Sequence, residues 1–149
     1  MLPARHVQRA DMRKITVAVT VDDRMGIAFN KRRQSSDRVL IGDLVDTAKG
    51  KIYVSEYSAS LFKEQVDKAV VVADPIKDCP DGGICFIEKT HIGTYIGDIE
   101  SVIVYRWNRH YPSDMTLDLD LGSYEMVNST EFIGSSHDKI TKETYIKCK

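Results

Sequence analysis

Two basic loops dominate the chemistry this chain could perform. Residues 24–38 hold Arg24, Lys31, Arg32, Arg33 and Arg38 against Asp37 alone, a local net of +4 in a 149-residue chain whose overall charge is −1. Guanidinium groups form bidentate hydrogen bonds to phosphate or carboxylate oxygens that the point charge of a lysine does not match. Asn30, Gln34, Ser35 and Ser36 in the same stretch offer neutral donors and acceptors suited to a ribose or a base edge. A second cluster, Arg106-Trp107-Asn108-Arg109-His110-Tyr111-Pro112, sets cations beside two aromatic rings, a combination that can stack a nucleobase while pairing its phosphate. The residues read as ligand-binding are therefore Arg24, Asn30, Arg32, Arg33, Gln34, Ser35, Arg38, Arg106, Trp107, Asn108 and Arg109. Against this stands a purely structural use of both clusters. The arginines of the first would pair with Asp22, Asp23, Asp43 or Asp46, while Trp107 would pack in the core and Tyr111 in a hairpin.

Other chemistry is thinly supplied. Asp22-Asp23 ends the first hydrophobic run, where a hard cation such as magnesium would want oxygen ligands, but neighbouring side chains on a strand diverge and no further acid stands at a ligand spacing. The histidines (His6, His91, His110, His137) are scattered singly, and no Ser/His/Asp ordering marks a nucleophile. His137 reads as a surface residue, and Ser135-Ser136 as a helix cap or an anion site. Three cysteines (Cys79, Cys85, Cys148) lack a Cys-x-x-Cys or Cys/His spacing, so neither a disulfide framework nor a zinc site is indicated. No metal and no cofactor is called for by these residues.

The elements that must position the two basic loops follow from hydrophobic periodicity. Ile15–Val21 reads as a first strand, followed by the polar connection 22–38. A helix capped by Ser35 or Ser36 follows, with Val39, Leu40, Leu44 and Val45 near helical spacing and Gly50 as its stop. Lys51–Val54 is a short strand, Ser55–Gln65 a modest helix, and Ala69–Ala73 a strand covered on both faces. Pro75–Gly83 is a turn, Ile84–Glu88 a fourth strand and Ser101–Trp107 a fifth. Met115–Leu121 alternates apolar and polar residues, as an edge strand or a hairpin partner of its predecessor would. Ser135-x-x-Asp138 reads as a capping box ahead of a terminal helix. Strands alternating with helices over short links predict an α/β class, a mostly parallel sheet flanked by helices with an antiparallel edge strand or hairpin. If the first and fifth strands are parallel, Arg33 and Arg109 open onto one crevice at the sheet's carboxyl edge.

Composition sets the outer bounds. With 42% hydrophobic residues the chain can bury one core, so residues 12–149 are expected to form a single α/β domain behind a disordered extension, residues 1–11. No apolar run is long enough to span a bilayer, which argues against a membrane protein and for a cytoplasmic one, and the absence of a global basic excess argues against nucleic acid. A homo-oligomer is expected, a dimer paired through the Met115–Leu121 edge.

Four stretches carry a resemblance that runs from Met12 through most of the chain: residues 21–38, 51–62, 104–114 and 130–145. They resemble a family of small proteins from low-GC Gram-positive bacteria and their mobile elements, often labelled ribonuclease Z. Enzymes of that name carry a His-x-His-x-Asp-His dizinc motif that this sequence lacks, so the resemblance implies a family without an activity. Taken together, these readings lean away from an enzyme. They favour a binder of a small phosphorylated, nucleotide-like ligand, an anti-defence sponge for a cyclic nucleotide immune signal. The alternatives are a magnesium-dependent phosphodiesterase or nuclease built on Asp22 or Asp23, and a protein-interaction inhibitor module.

Overall fold

The computed structural model describes residues 13–148, so the expected extension over residues 1–11 lies outside the described residues. The hydrophobic run Ile15–Val21 becomes β1 at the middle of the main sheet. Its alternation divides the core in two. Ile15, Val17, Val19 and Val21 join Val102, Val104, Ile87 and Leu117 under one face, and Ala18 lies under the other with Leu40, Ile41 and Leu44 of α1 (Arg38–Ala48). An alanine at the point where a helix crosses the sheet lets the two backbones approach closely.

The main sheet has seven strands, in the order β5 (Ala69–Val71), β4 (Ile52–Val54), β6 (Ile84–Ile87), β1, β7 (Ile99–Arg106), β10 (Ile140–Lys147), β9 (Tyr124–Phe132). The pairs from β5 across to β7 are parallel, and β10 runs antiparallel to both β7 and β9. A three-stranded antiparallel sheet, β3 (Arg32–Arg33), β2 (Gly26–Phe29), β8 (Met115–Thr116), lies beside it. The α/β class with a mostly parallel sheet and an antiparallel hairpin at one edge is thus as expected.

Several local expectations are corrected. The helix cap is Asp37, whose carboxylate accepts from the backbone N–H groups of Val39 and Leu40; neither Ser35 nor Ser36 fills that role. The helix stops on Lys49, which takes the left-handed conformation (φ 57°), one residue before Gly50. Ser55–Gln65 splits into a single turn, α2 (Glu56–Ala59), and a 3-10 segment over Ser60–Gln65. β5 is a half-exposed edge, not a strand covered on both faces. The polar connection 22–38 folds into the β2–β3 hairpin, and positive φ at Asn30 and Lys31 (53° and 63°) matches the two-residue turn that a right-twisted ribbon prefers.

The largest correction is at the carboxyl end, where the expected terminal helix is a hairpin. Ile140–Lys147 satisfies the free edge of β7 with a full antiparallel ladder, and β9 satisfies the other side of β10. Ser135 nonetheless caps a helix, for its Oγ accepts from the N–H of Arg38 at the start of α1, 97 positions away. The expected edge strand from Met115 is two residues long and pairs with β2, so the long edge strand of the main sheet is β9. Among the described residues no helix is long and apolar enough to cross a membrane.

Candidate functional site

Parallel strands that all end on one side of a sheet bring their following loops to a common edge, and ligands of α/β proteins collect there. Here that edge receives Thr20 and Asp22 from β1, Ser55 after β4, Glu88 after β6 and Trp107 after β7, with the N-terminus of α1 above them. The groove they form has two hollows joined by a slot. One hollow, about 300 Å³, is lined by Ser55, Tyr57, Asp74, Phe86, Glu88 and Lys89. The other, about 370 Å³, is lined by Ser36, Asp37, Arg38, Ile41, Leu61, Lys63, Glu64 and Gln65. Between them Thr20, Ser35, Asp37, Leu61, Phe86, Glu88 and Trp107 border a narrow slot of about 10 Å³.

At one side of the slot stands a carboxylate–imidazole pair removed from water. Asp37 and His137 have side chains 0% and 2% exposed, and Nδ1 of His137 lies 2.9 Å from Oδ2 of Asp37. The backbone N–H groups of Ser135 and Ser136 also donate to Asp37, each at 2.9 Å. Burial opposes the charge on Asp37, but the hydrogen bonds from Ser136, His137, Ser135 and Leu40 outweigh it and hold its pKa well below the ordinary carboxylate range. An ionised carboxylate only accepts, so Nδ1 carries a proton, which in a neutral imidazole leaves Nε2 as the acceptor. Two hydroxyls, Ser35 Oγ and Tyr111 Oη, each lie 3.0 Å from that nitrogen. Trp107 stacks on the imidazole at 4.4 Å between centroids, and its buried Nε1–H has no hydrogen-bond partner among the described residues.

Across the slot is a second buried acid. Glu88, 4% exposed at its side chain, accepts from Arg33 Nε at 2.6 Å, from Arg33 Nη2 at 2.9 Å and from Ser58 Oγ at 2.7 Å. The Arg33 guanidinium also lies 4.5 Å from the centre of the Tyr57 ring. Asp22 is likewise spent on its own loop, for its carboxylate accepts from the N–H groups of Arg24, Gly26 and Tyr111 and from Gln34 Nε2.

The sequence-derived site residues distribute as follows. Ser35 and Trp107 border the slot, and Arg38 lines the second hollow. Arg33 is engaged with Glu88, Arg106 with Glu143 at 2.8 Å, and Gln34 with Asp22 and the Pro112 carbonyl. Asn108 ties its loop to the Lys139 carbonyl and Thr141, and Asn30 makes the hairpin turn. Arg24, Arg32 and Arg109 are exposed. The structure adds Asp37, His137, Tyr111 and Glu88, which the sequence reading left out. His137 was expected at the surface and is buried. Its one signal was the Gly-Ser-Ser-His run, taken there for the cap of a helix that does not exist.

No family model and no curated protein matches the chain. Among solved structures, dihydrofolate reductase from Enterococcus faecalis, complexed with NADP(H) and RAB-propyl, shares the fold with a TM-score of 0.64 at 9% sequence identity, over 91% of this chain and 97% of that one. This finding overturns the expectation of a non-enzymatic sponge, because the fold is one that carries an enzyme. The ion pairs agree, since Arg33 and Arg106, two of the guanidinium groups assigned to phosphate, already neutralise carboxylates.

Proposed function

We propose that the chain is an enzyme acting on a small, anionic, nucleotide-like molecule laid along the groove, with the Asp37–His137 pair handling a proton at the slot. The observation that carries this reading is His137 Nε2. A buried imidazole fixed by an ionised carboxylate, with its second nitrogen turned to a hydroxyl on the lip of a slot, is built to accept and return a proton. Arg38 and Lys63, which share the second hollow with Glu64 and with an Asp37 already engaged by backbone N–H groups and His137, would meet the anionic group of the ligand.

The NADP(H) held by the Enterococcus faecalis reductase does not suit the residues here. In the first hollow Glu88 and Arg33 neutralise each other, and Asp74 stands against Lys89, whose ammonium rests 3.7 Å from the centre of the Tyr57 ring. A hollow with one carboxylate for its one unpaired cation is poorly matched to a dinucleotide's diphosphate.

Trp107 is the chain's one tryptophan and borders the slot, so its emission reports occupancy directly. Titration with nucleoside monophosphates should quench it at lower concentration than the parent nucleosides do, and Arg38→Ala should weaken the monophosphates about tenfold. Mass spectrometry should then find a converted compound with the wild type and none with His137→Gln. No emission change at millimolar monophosphate, or equal turnover by His137→Gln, overturns the reading.

A further inference from the structure

We infer that Ser35 is a nucleophile, activated by His137 and Asp37 for acyl transfer; this rests on the slot being the reaction site. The three side chains form one hydrogen-bonded line: Ser35 Oγ lies 3.0 Å from His137 Nε2, and His137 Nδ1 lies 2.9 Å from Asp37 Oδ2. These are the contacts an activated serine needs, a base within reach and a third group that fixes the tautomer of the base. Ser35 also borders the slot, whereas the competing hydroxyl of Tyr111 does not line it. A nucleophile further needs a donor for the charge it creates. Trp107 borders the same slot, and its buried Nε1–H is without a partner among the described residues.

The electrostatics select the reaction class. Glu88 is neutralised by Arg33, but the Asp37 carboxylate borders the slot with no lysine or arginine partner among the described residues, so a phosphoryl group would be repelled there and a neutral carbonyl would not. In the acyl step Ser35 Oγ bonds to the carbonyl carbon as its proton passes to His137 Nε2, and the carbonyl oxygen gains the charge that Trp107 Nε1–H meets. Collapse breaks the bond to the leaving group, which takes the proton from His137. Water, the only co-reactant, then attacks the acyl-serine, giving its proton through His137 back to Ser35 Oγ as the carboxylic acid leaves. The substrate class is an ester, thioester or amide whose carbonyl meets Ser35 at the mouth of the slot, the slot itself having room for about one water, with an anionic tail for Arg38 and Lys63.

The test uses a fluorophosphonate probe and p-nitrophenyl acetate on the full chain. The wild type should take up one phosphonyl group, located on Ser35 by peptide mass spectrometry, and should release nitrophenol with a burst. Ser35→Ala should take up none and lose the burst, while still showing the monophosphate quench of Trp107, which separates failure of this step from failure of the binding reading. His137→Gln should label at least about a hundredfold more slowly. Tyr111→Phe should label faster than the wild type, because Nε2 then serves Ser35 alone. Ser129→Ala, on exposed β9, should behave as the wild type. No adduct, an adduct on Ser36 or any other residue, or undiminished labelling of Ser35→Ala overturns the assignment.

Discussion

Glu88–Arg33 and Asp37–His137 are both acid–base pairs built on a buried carboxylate that borders one slot, and they differ in what each leaves over. Glu88 is saturated by both arms of Arg33 and by Ser58, and Arg33 closes against Tyr57. No proton can be exchanged there at neutral pH, because an arginine does not give one up. Asp37 is also saturated, by backbone and imidazole, but its partner keeps a second nitrogen, and that nitrogen meets two hydroxyls, of which Ser35 borders the slot. Two pairs of similar appearance thus divide the work: one ties the β2–β3 hairpin to the sheet, the other offers a base.

The comparison breaks first at Asp37. Asp37→Ala removes the cap of α1 and strands a buried imidazole and two backbone donors, so urea unfolding should show a loss of about 3–5 kcal/mol. A loss under about 1 kcal/mol would mean that the pair is not structurally integrated. The same carboxylate sets a pH test. Its folded pKa is depressed, so the unfolded chain binds more protons and stability rises with pH. That contribution should be complete above the unfolded value of about 3.9 and fade as pH falls through the folded one, which urea midpoints at pH 6 and pH 3 would reveal.

Arg33→Ala should cost about 1.5–3 kcal/mol by leaving Glu88 buried and unpaired, and the double variant Arg33→Ala/Glu88→Leu should recover most of it. If the closed pair is only structural, neither change should abolish labelling of Ser35. Gly134→Ala places a methyl against Asp37 Oδ2 and Ile140 Cδ1, so a cost of about 1–3 kcal/mol is expected, with slower Ser35 labelling if the tilt of the pair matters. Least affected should be the exposed arginines. Arg24→Ala, Arg32→Ala and Arg109→Ala should each stay within about 0.5 kcal/mol of the wild type.

How much of this was legible beforehand varies with the range of the interaction. The strands at Ile15–Val21, Ile84–Ile87 and Ile99–Arg106 announced themselves because burial on both faces of a parallel sheet demands continuous apolar runs. The carboxyl-terminal hairpin did not, since β9 is exposed along most of its length and β10 half-buried throughout, so neither carries a strong period-2 signal. The basic loop drew attention by its charge. Charge alone does not tell a ligand site from an ion pair, because the paired acids Glu88 and Glu143 lie 55 and 37 positions from their arginines.

By itself the sequence determined the α/β class, the central strands and the edge at which ligand-facing loops must gather, because these follow from hydrophobic period and from the handedness of strand–helix–strand crossovers. Only the tertiary structure decided which polar side chains meet at that edge. Ser35 and Asp37 are separated from His137 by about a hundred positions, and they come together because β10 pairs with β7 and draws the Gly134–His137 turn onto the start of α1. A hydrogen bond acts over about 3 Å and is indifferent to distance along the chain, so nothing in the local pattern of either segment could signal its partner.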